Sequence, residues 1–270
     1  MQLLCTFLTG LGSRDKISFM DIELHNIRVV AVDGGTATGK GRLIDELAQF
    51  LRLKGVPVIH ASTGSIYRAV ALVAIEEAAE MVIGRSEMTI SEINHTALEL
   101  VRDMPPAKLL ELAGQRQVQM HGGQMWIDGA DVAEERLKGP AVGTGASIVG
   151  LHPEVRDWIS GIVRRQINEF NGFALIDGRD ITHVVVPDAP VKLLLVVSPE
   201  VAATRSREHT IEEIVARDSR DRGRKHGALR HPENPGDGVI VLATDDYTPE
   251  ALRDYVYTIM QKAFSALPDI

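Results

Sequence analysis

A short apolar strand that runs directly into a glycine-rich loop constrains the fold of this chain more than any other feature. Residues 27–33 read Ile-Arg-Val-Val-Ala-Val-Asp, and residues 34–41 read Gly-Gly-Thr-Ala-Thr-Gly-Lys-Gly. The next stretch has apolar side chains at helical spacing: Leu43, Ile44, Leu47, Phe50 and Leu51. A strand, a G-x-x-x-x-G-K loop and a helix in this order predict a phosphate-binding site, because the loop N–H groups and the helix N-terminus attract anions. The alternative is an ordinary strand-to-helix turn.

The composition limits the classes of protein to consider. A chain of 270 residues with 44% hydrophobic residues can bury one α/β core and an inserted subdomain. The net charge of −8 argues against nucleic-acid binding through overall basicity. Cys5 is the only cysteine, which excludes an internal disulfide framework and argues against a cysteine-ligated zinc site. No apolar run is long enough to cross a bilayer, so we expect a cytoplasmic protein without a membrane partner.

Residues 1–24 are predicted to be an N-terminal extension or the product of a misassigned start. Met20 lies shortly before Ile27, where the first strand begins, and domains with this kind of loop usually start a few residues before that strand. A short amphipathic contact segment is the alternative interpretation of residues 1–19.

The order of predicted elements indicates a parallel sheet covered by helices on both faces. The core is expected to occupy residues 25–82 and 137–270, and residues 83–136 are interpreted as an insert because their pattern is more polar. The predicted elements are strands at 27–33, 56–60, 173–176, 191–197 and 238–242, an insert hairpin at 117–121 and 124–127, and later helices at 65–80, 91–103, 139–149, 152–170 and 248–264.

One charged segment lies where ligands are expected. Asp177-Gly178-Arg179-Asp180 follows the strand at 173–176, so its side chains should lie at the carboxyl edge of the sheet. Open α/β sheets bind ligands at that edge, and the glycine-rich loop is expected there too. A polar β-turn with a surface ion pair is the alternative.

A second charged segment is strongly basic. Residues 217–225 read Arg-Asp-Ser-Arg-Asp-Arg-Gly-Arg-Lys and follow Arg205 and Arg207. They can form a solvated helix face with an i,i+4 pair between Arg217 and Asp221. Binding of two anionic substrates accounts better for so much positive charge in an acidic protein. Earlier in the chain, residues 63–68 offer hydroxyls and free N–H groups at a helix start, although simple capping also explains that pattern.

Together these segments resemble the bacterial cytidylate kinases. The similar segments are Val32-Asp33-Gly34, Gly39-Lys40-Gly41, Thr63-Gly64-Ser65-Ile66-Tyr67-Arg68, Ala146-Ser147, Val155-Arg156, Asp177-Gly178-Arg179-Asp180, Pro187-Asp188-Ala189 and residues 217–224. The resemblance implies a P-loop three-layer α/β/α fold with a parallel sheet. It also implies that the insert is a nucleoside monophosphate-binding subdomain and that a short lid lies near residues 205–230.

The resemblance implies transfer of the γ-phosphoryl group of ATP to CMP or dCMP, giving ADP and CDP or dCDP. We expect a monomer. Lys40, Arg179 and Arg224 are the implied catalytic residues. The implied ATP contacts are Gly34, Gly35, Thr36, Ala37, Thr38, Gly39, Lys40, Gly41, Arg42 and Arg205. The implied CMP contacts are Thr63, Tyr67, Arg68, Ser147, Arg156, Arg179, Asp180, Arg217, Asp221 and Arg224. Mg²⁺ is expected to be held through water and phosphate, without a direct protein ligand.

Base selection follows from hydrogen-bonding groups in three of the implied contacts. A carboxylate at Asp180 suits the cytosine amino group, and Arg156 and Ser147 can donate to its two acceptors. Uracil would leave Asp180 facing a carbonyl, so cytosine should be preferred. A P-loop kinase with another small acceptor and a non-catalytic nucleotide-binding protein remain the alternatives.

Several positions depart from the family pattern. Gly41 fits the Gly-Lys-Gly form of the loop, but Arg42 follows it where Thr is usual, and Thr63 replaces a common Ser. Lys138 stands where Arg is frequent, and Thr182-His183 replaces Gly-Thr. We expect His183 to be a loop residue and not a catalytic base, because transfer to an ionised phosphate requires no base. The segment between Arg207 and Arg217 is shorter than the usual lid.

Overall fold

A five-stranded parallel sheet forms the centre of the structure. The computed structural model describes residues 28–83, 88–206, 210–264 and 267, so the predicted extension at 1–24 lies outside the described residues. The strands are numbered along the chain, and the sheet order is β2-β6-β1-β7-β8. Their bounds are Val29–Gly34 (β1), Val58–Ser62 (β2), Phe173–Gly178 (β6), Val191–Val196 (β7) and Val239–Ala243 (β8). Every neighbouring pair in this sheet is parallel.

Ten helices are described, and three short strands, β3 Gln119–His121, β4 Gln124–Ile127 and β5 Ala130–Asp131, form a separate antiparallel sheet. The first helices are α1 Lys40–Leu53, α2 Thr63–Ile83, α3 Ile90–Asp103, α4 Pro106–Gln115 and α5 Glu134–Leu137. The later helices are α6 Pro140–Val149, α7 Pro153–Glu169, α8 Pro199–Arg205, α9 Ile211–Arg222 and α10 Pro249–Ala263. Strand and helix alternate from β1 to α2, as the sequence predicts, and runs of consecutive helices follow in the rest of the chain.

Apolar side chains bury both faces of the parallel sheet. Because side chains alternate along a strand, Val30 and Val32 of β1 contribute to one buried cluster with α1 and α10. Val29 and Ala31 contribute to a second cluster with α2, α6 and α7. A strand buried on both faces must be apolar almost throughout, and β1 begins with four apolar residues, Val-Val-Ala-Val. The predicted three-layer α/β/α fold is confirmed.

The insert packs on the core through a continuous apolar cluster. Val101 of α3, Leu109 of α4 and Ile127 of β4 are buried in the same cluster as α2 and α7. A capping box between Thr89 and Glu92 begins α3, and Pro106 begins α4 after an extended proline. The predicted hairpin is present and gains a third short strand, β5. The domain bounds at 83 and 136 stay predictions.

Two local structures differ from the sequence-based expectation. Helix α2 begins at Thr63 and follows β2 without a loop, two residues earlier than predicted. The Thr63 hydroxyl donates to the Asp177 carbonyl at 3.1 Å, which anchors this helix start to β6. His183 was expected in a loop but lies in a single π turn, Ile181–Val185, whose first two N–H groups donate to Asp33.

Across the described ranges, we find no helix that is both long enough and apolar enough to cross a membrane.

The hairpin turn of the insert touches the edge strand β2 and yields a stability prediction. Gly123 has φ +90°, and a Cβ there would overlap the His60 carbonyl oxygen. Gly123→Ala should therefore lower the free energy of unfolding by at least about 2 kcal/mol, through backbone strain and overpacking. Gly122 has a similar positive φ, but a Cβ would meet no described atom within 4 Å. Gly122→Ala should cost only about 1 kcal/mol in urea unfolding, and equal losses would contradict the contact with β2.

Candidate active site

Parallel pairing brings the glycine-rich loop and the Asp177–Asp180 turn to one edge of the sheet. Asp33 at the end of β1 lies opposite Gly178 at the end of β6. A cleft opens there, and all ten predicted CMP contacts line it together with Lys40. Its lining residues are Lys40, Ser62, Thr63, Gly64, Tyr67, Arg68, Ala146, Ser147, Gly150, Arg156, Asp177, Gly178, Arg179, Asp180, Arg217, Asp221 and Arg224. We call this space the cleft.

Lys40 lies on the glycine-rich loop and not in open solvent. Its Nζ donates to the carbonyl oxygens of Gly34 and Gly35, both at 2.7 Å. Gly39 has φ +88°, a conformation that a side chain would strain, and the helix begins at the next residue. Burial lowers the pKa of Lys40 to about 7, and the positive charge of Arg179 acts in the same direction. The ammonium is thus placed where an anion would stabilise its charge.

Helix α9 contacts the loop through Asp218. One carboxylate oxygen of Asp218 accepts the Thr36 N–H at 2.9 Å and the Thr36 hydroxyl at 2.8 Å. The contact needs glycine at position 35, because a Cβ there would overlap the Asp218 carboxylate. Arg179 joins the same group, since it donates to the Gly34 carbonyl at 2.6 Å and to the Thr36 hydroxyl at 3.2 Å. Sequence reasoning missed Asp218 as a site residue.

The basic segment points arginines into the cleft. Asp221 pairs with Arg224 at 2.6 Å and with the Nε of Arg179 at 3.1 Å, so one carboxylate holds both guanidinium groups. Burial lowers the pKa of Arg224 and the pKa of Arg217. A solvated helix face therefore does not describe these two arginines, although it does describe the exposed Arg220.

A buried ion pair closes the other end of the cleft. Arg156 pairs with Asp180, and each side chain is only 5% exposed. Arg156 also donates to the Gly150 carbonyl at 3.1 Å and to the Gly227 carbonyl at 3.0 Å. Burial alone lowers the pKa of Arg156, but the charge and hydrogen bond of Asp180, together with Tyr67 and Asp221, outweigh it, and the net pKa is raised. The Tyr67 ring centroid lies 5.7 Å from the guanidinium carbon of Arg156. Burial raises the pKa of the Tyr67 phenol, which is therefore neutral.

Similarity to known proteins identifies the family of this chain. Residues 30–262 match the protein family described as Cytidylate kinase. A cytidylate kinase from Caldanaerobacter subterraneus subsp. tengcongensis is 30% identical over 86% of this chain and 94% of its own length. One from Methylobacterium sp. (strain 4-46) is 33% identical over 75% of this chain and 83% of its own. One from Aquifex aeolicus is 28% identical over 88% and 98%. The chain belongs to the cytidylate kinase family.

Of the ten predicted ATP contacts, only Lys40 lines the cleft. The rest of the loop borders it, and Arg42 and Arg205 lie on helices. Arg42 pairs with Glu46 at 2.9 Å on α1, and 64% of its side chain is exposed. Arg205 of α8 donates to the Thr244 carbonyl at 2.6 Å and to the Thr244 hydroxyl at 2.9 Å, while that hydroxyl donates to the Thr38 carbonyl at 3.1 Å. Arg205 therefore borders the glycine-rich loop, whereas Arg42 turns toward its own helix. Their roles in ATP binding stay predictions.

The Thr182-His183 departure from the family pattern has a structural counterpart. Asp33 is buried, and it accepts the N–H of Ile181 at 2.7 Å, the N–H of Thr182 at 3.0 Å and the Thr182 hydroxyl at 2.6 Å. Burial nevertheless raises the pKa of Asp33 to about 6. Burial lowers the pKa of His183, so its imidazole is neutral near pH 7. The Thr182 side chain supplies a donor that a glycine could not.

A histidine and carboxylate pair at the cleft was missed from the sequence. His60 Nε2 lies 2.8 Å from Asp177 Oδ1, and Asp45 lies 3.9 Å from Nδ1. Burial alone lowers the pKa of His60, but the hydrogen bond and charge of Asp177 outweigh it and raise the pKa above its usual value. The pKa of Asp177 is lowered, because His60 and Lys40 outweigh its burial. No sequence motif signals this pair, since it depends on the register of β2 with β6.

The raised pKa of His60 predicts a pH-dependent contribution to stability. The contribution is present at low pH, where His60 is protonated, and is lost as pH rises through its folded-state pKa. Asp177 and Asp45 favour the charged form, and Arg52 opposes it. Wild type should exceed His60→Gln in unfolding free energy by about 1 kcal/mol near pH 5.5, and the difference should shrink toward pH 8.5.

Urea unfolding at several pH values measures this difference. His95→Gln is the matched control, because His95 is a largely exposed histidine of the insert. A difference between wild type and His60→Gln that grew as pH rose would contradict the charged pair.

Proposed function

We propose that this chain transfers the γ-phosphoryl group of ATP to CMP or dCMP, giving ADP and CDP or dCDP. The observation that carries the proposal is the convergence of Lys40, Arg179 and Arg224 with the remaining predicted acceptor contacts in one cleft beside the glycine-rich loop. Family membership and the names of the relatives support a CMP or dCMP kinase. They do not favour a different small acceptor or a non-catalytic nucleotide-binding role.

The donor phosphates are proposed to lie along the loop from Gly34 to Gly41. Backbone N–H groups and the start of α1 would hold them, and Lys40 would turn from the loop carbonyls toward the β- and γ-phosphates. Arg42 and Arg205 are proposed as further ATP contacts. Positioning and charge neutralisation carry most of the catalysis in phosphoryl transfer, so no covalent enzyme intermediate is needed.

The transferring group is proposed to pass between Arg179 and Arg224. Both guanidinium groups contact Asp221, which orients them toward the cleft. Forked guanidinium groups bind phosphoryl oxygens bidentately and stabilise the charge that spreads over them. Arg68 is proposed to bind the acceptor phosphate, with Thr63 beside it at the start of α2. The attacking oxygen already belongs to an ionised phosphate, so a general base is unnecessary.

Mg²⁺ is proposed to arrive with ATP and to be held by phosphate oxygens and water. Gly41 offers no side-chain ligand where many phosphate loops place Ser or Thr. Within the described part of the chain, His, Cys, Asp and Glu side chains form no group of three or more that could hold a metal ion. The ion would neutralise part of the phosphate charge.

The base is proposed to lie against Arg156, Asp180 and Ser147. Asp180 would accept from the cytosine amino group, and Arg156 and Ser147 would donate to N3 and O2. Tyr67, Arg217 and Asp221 are proposed to surround the sugar. A monomeric state and a cytoplasmic location stay predictions.

Removal of the Lys40 ammonium should abolish transfer without unfolding the protein. We expect Lys40→Ala to lower kcat with ATP and CMP at least about 100-fold, because a charge that stabilises the transferring group is lost. ADP release is measured with Mg²⁺ and CMP, dCMP, UMP or AMP, and EDTA should stop turnover by removing the metal. Lys108→Ala, which removes a half-buried lysine of the insert that pairs with Glu111, is the control. Unchanged turnover in Lys40→Ala would remove Lys40 from the mechanism.

Replacement of Asp180 should weaken base selection. An asparagine amide can accept from the cytosine amino group and can also donate to the uracil carbonyl. Asp180→Asn should therefore lower the CMP-to-UMP ratio of kcat/KM at least about tenfold. Asp131→Asn, at an exposed position in β5, is the control. An unaltered ratio, measured with both acceptors at saturating ATP, would reject the base contact.

A further inference from the structure

A glycine after the basic segment touches the ion pair proposed to read the base. Gly227 lies in the short stretch that follows α9, and its carbonyl accepts from Arg156 Nη2 at 3.0 Å. Its φ of +61° is in the left-handed region. A Cβ there would overlap both Arg156 Nη2 and Asp180 Oδ2 and would lie 2.6 Å from the guanidinium carbon. Only the absence of a side chain allows this approach.

The stretch that carries Gly227 is anchored on both sides. The Leu229 N–H donates to the Asp221 carbonyl at 3.0 Å, and the Leu229 side chain is buried. Arg224, at the start of the stretch, pairs with the Asp221 carboxylate at 2.6 Å. Asp221 therefore ties the stretch to α9 at two points. The Gly227 carbonyl is held in place and does not lie on a free loop.

The donors of Arg156 explain why this carbonyl matters. Nη2 carries two N–H groups, and it has two acceptors, Asp180 and the Gly227 carbonyl. The Gly150 carbonyl accepts from Nη1 at 3.1 Å. Acceptors from three separate segments thus fix the plane of one guanidinium. A fixed guanidinium plane determines that Asp180 Oδ2 bonds to Arg156 and leaves the other carboxylate oxygen to face a base.

We propose that Gly227 is a specificity-determining position, whose carbonyl and missing side chain hold the Arg156–Asp180 pair in the orientation that selects cytosine over uracil. Gly227 is a positioning residue and touches no reacting group. The proposal rests on the proposed function, because it concerns the base of the nucleotide acceptor. Misplacement of a hydrogen-bonding pair weakens discrimination between bases more than it weakens phosphoryl transfer.

Gly227→Ala tests the proposal through a split in kinetic constants. We expect KM for CMP to rise at least about fivefold and the CMP-to-UMP ratio of kcat/KM to fall at least about tenfold. KM for ATP and kcat with CMP should stay within about twofold of wild type, because the loop and its arginines are not displaced. A merely structural role would lower all constants together or none.

Gly55→Ala separates backbone strain from the contact with the ion pair. Gly55 has φ +73° in the turn after α1, and a Cβ there would meet no described atom within 4 Å. The variant carries a similar backbone penalty but should keep the wild-type base ratio. An equal loss of base selection in Gly55→Ala would overturn the proposal, and so would a wild-type ratio in Gly227→Ala.

A double-mutant cycle tests whether Gly227 acts through Asp180. In an Asp180→Asn background, Gly227→Ala should change the CMP-to-UMP ratio by less than about twofold, because the reading carboxylate is already lost. A full further loss in the double variant would overturn the proposed route. If wild type turns over CMP selectively but the Gly227 variants do not behave as expected, the Gly227 inference alone is refuted. If wild type does not turn over CMP, the proposed function and the inference are both refuted.

A measurement on the wild type covers the case in which Gly227→Ala does not fold. CMP should slow backbone amide exchange in residues 224–229 more than UMP does at equal site occupancy, because cytosine tightens the pair against the Gly227 carbonyl. Exchange that CMP and UMP slow equally would overturn the proposal.

Discussion

Parallel pairing of β1 with β6 is the constraint on which the rest of the site depends. The register places Asp33 opposite Gly178, so the glycine-rich loop and the Asp177–Asp180 turn leave the sheet side by side. Arg179 then reaches the Gly34 carbonyl at 2.6 Å. A slip of one residue would turn every side chain of β6 to the other face and would remove the turn from the loop. The N–H groups of Ile181 and Thr182, just after β6, donate to the Asp33 carboxylate of β1, and these hydrogen bonds are specific to the observed register.

Local charge in the cleft opposes the charge of the whole chain. The chain carries a net charge of −8, yet six basic and three acidic residues line the cleft. The three carboxylates each hold a basic side chain or a histidine in place, as Asp221 does for Arg179 and Arg224. Excess positive charge therefore remains oriented toward the space where two phosphorylated substrates are proposed to meet. An acidic exterior and a basic cleft are compatible because only the local field acts on a bound anion.

The sequence predicted those parts of the site that are written as contiguous motifs. Each of three motifs can be recognised from consecutive residues: the loop at 34–41, the turn at 177–180 and the basic segment. The family resemblance then assigned them to one site. The three-layer fold could be predicted for a similar reason, because strand and helix periods are local properties. The loop and the turn meet because both follow strands of the parallel sheet, and the basic segment joins them from the second half of α9.

Residues that act through distant contacts could not be predicted in this way. Asp218 reaches Thr36 across 182 positions of sequence, and the His60 contact with Asp177 needs the register of β2. Gly227 looks like an ordinary turn glycine until its approach to Arg156 is known. Each of these contacts depends on how separate segments pack, which no local spacing encodes. The start of α2 at Thr63 was misplaced for the same reason, since its anchor is a carbonyl of β6.

The carboxylates around the loop only partly neutralise the positive charge of Lys40. Lys40 has a pKa lowered to about 7 despite the carboxylates near it, because burial and Arg179 outweigh them. A phosphate placed on the loop would supply the missing negative charge and raise that pKa again. Binding of the proposed nucleotide would then be accompanied by proton uptake at Lys40 near neutral pH. The fold thus keeps the Lys40 ammonium partly buried and only partly neutralised, so that a phosphate on the loop would stabilise its charged form.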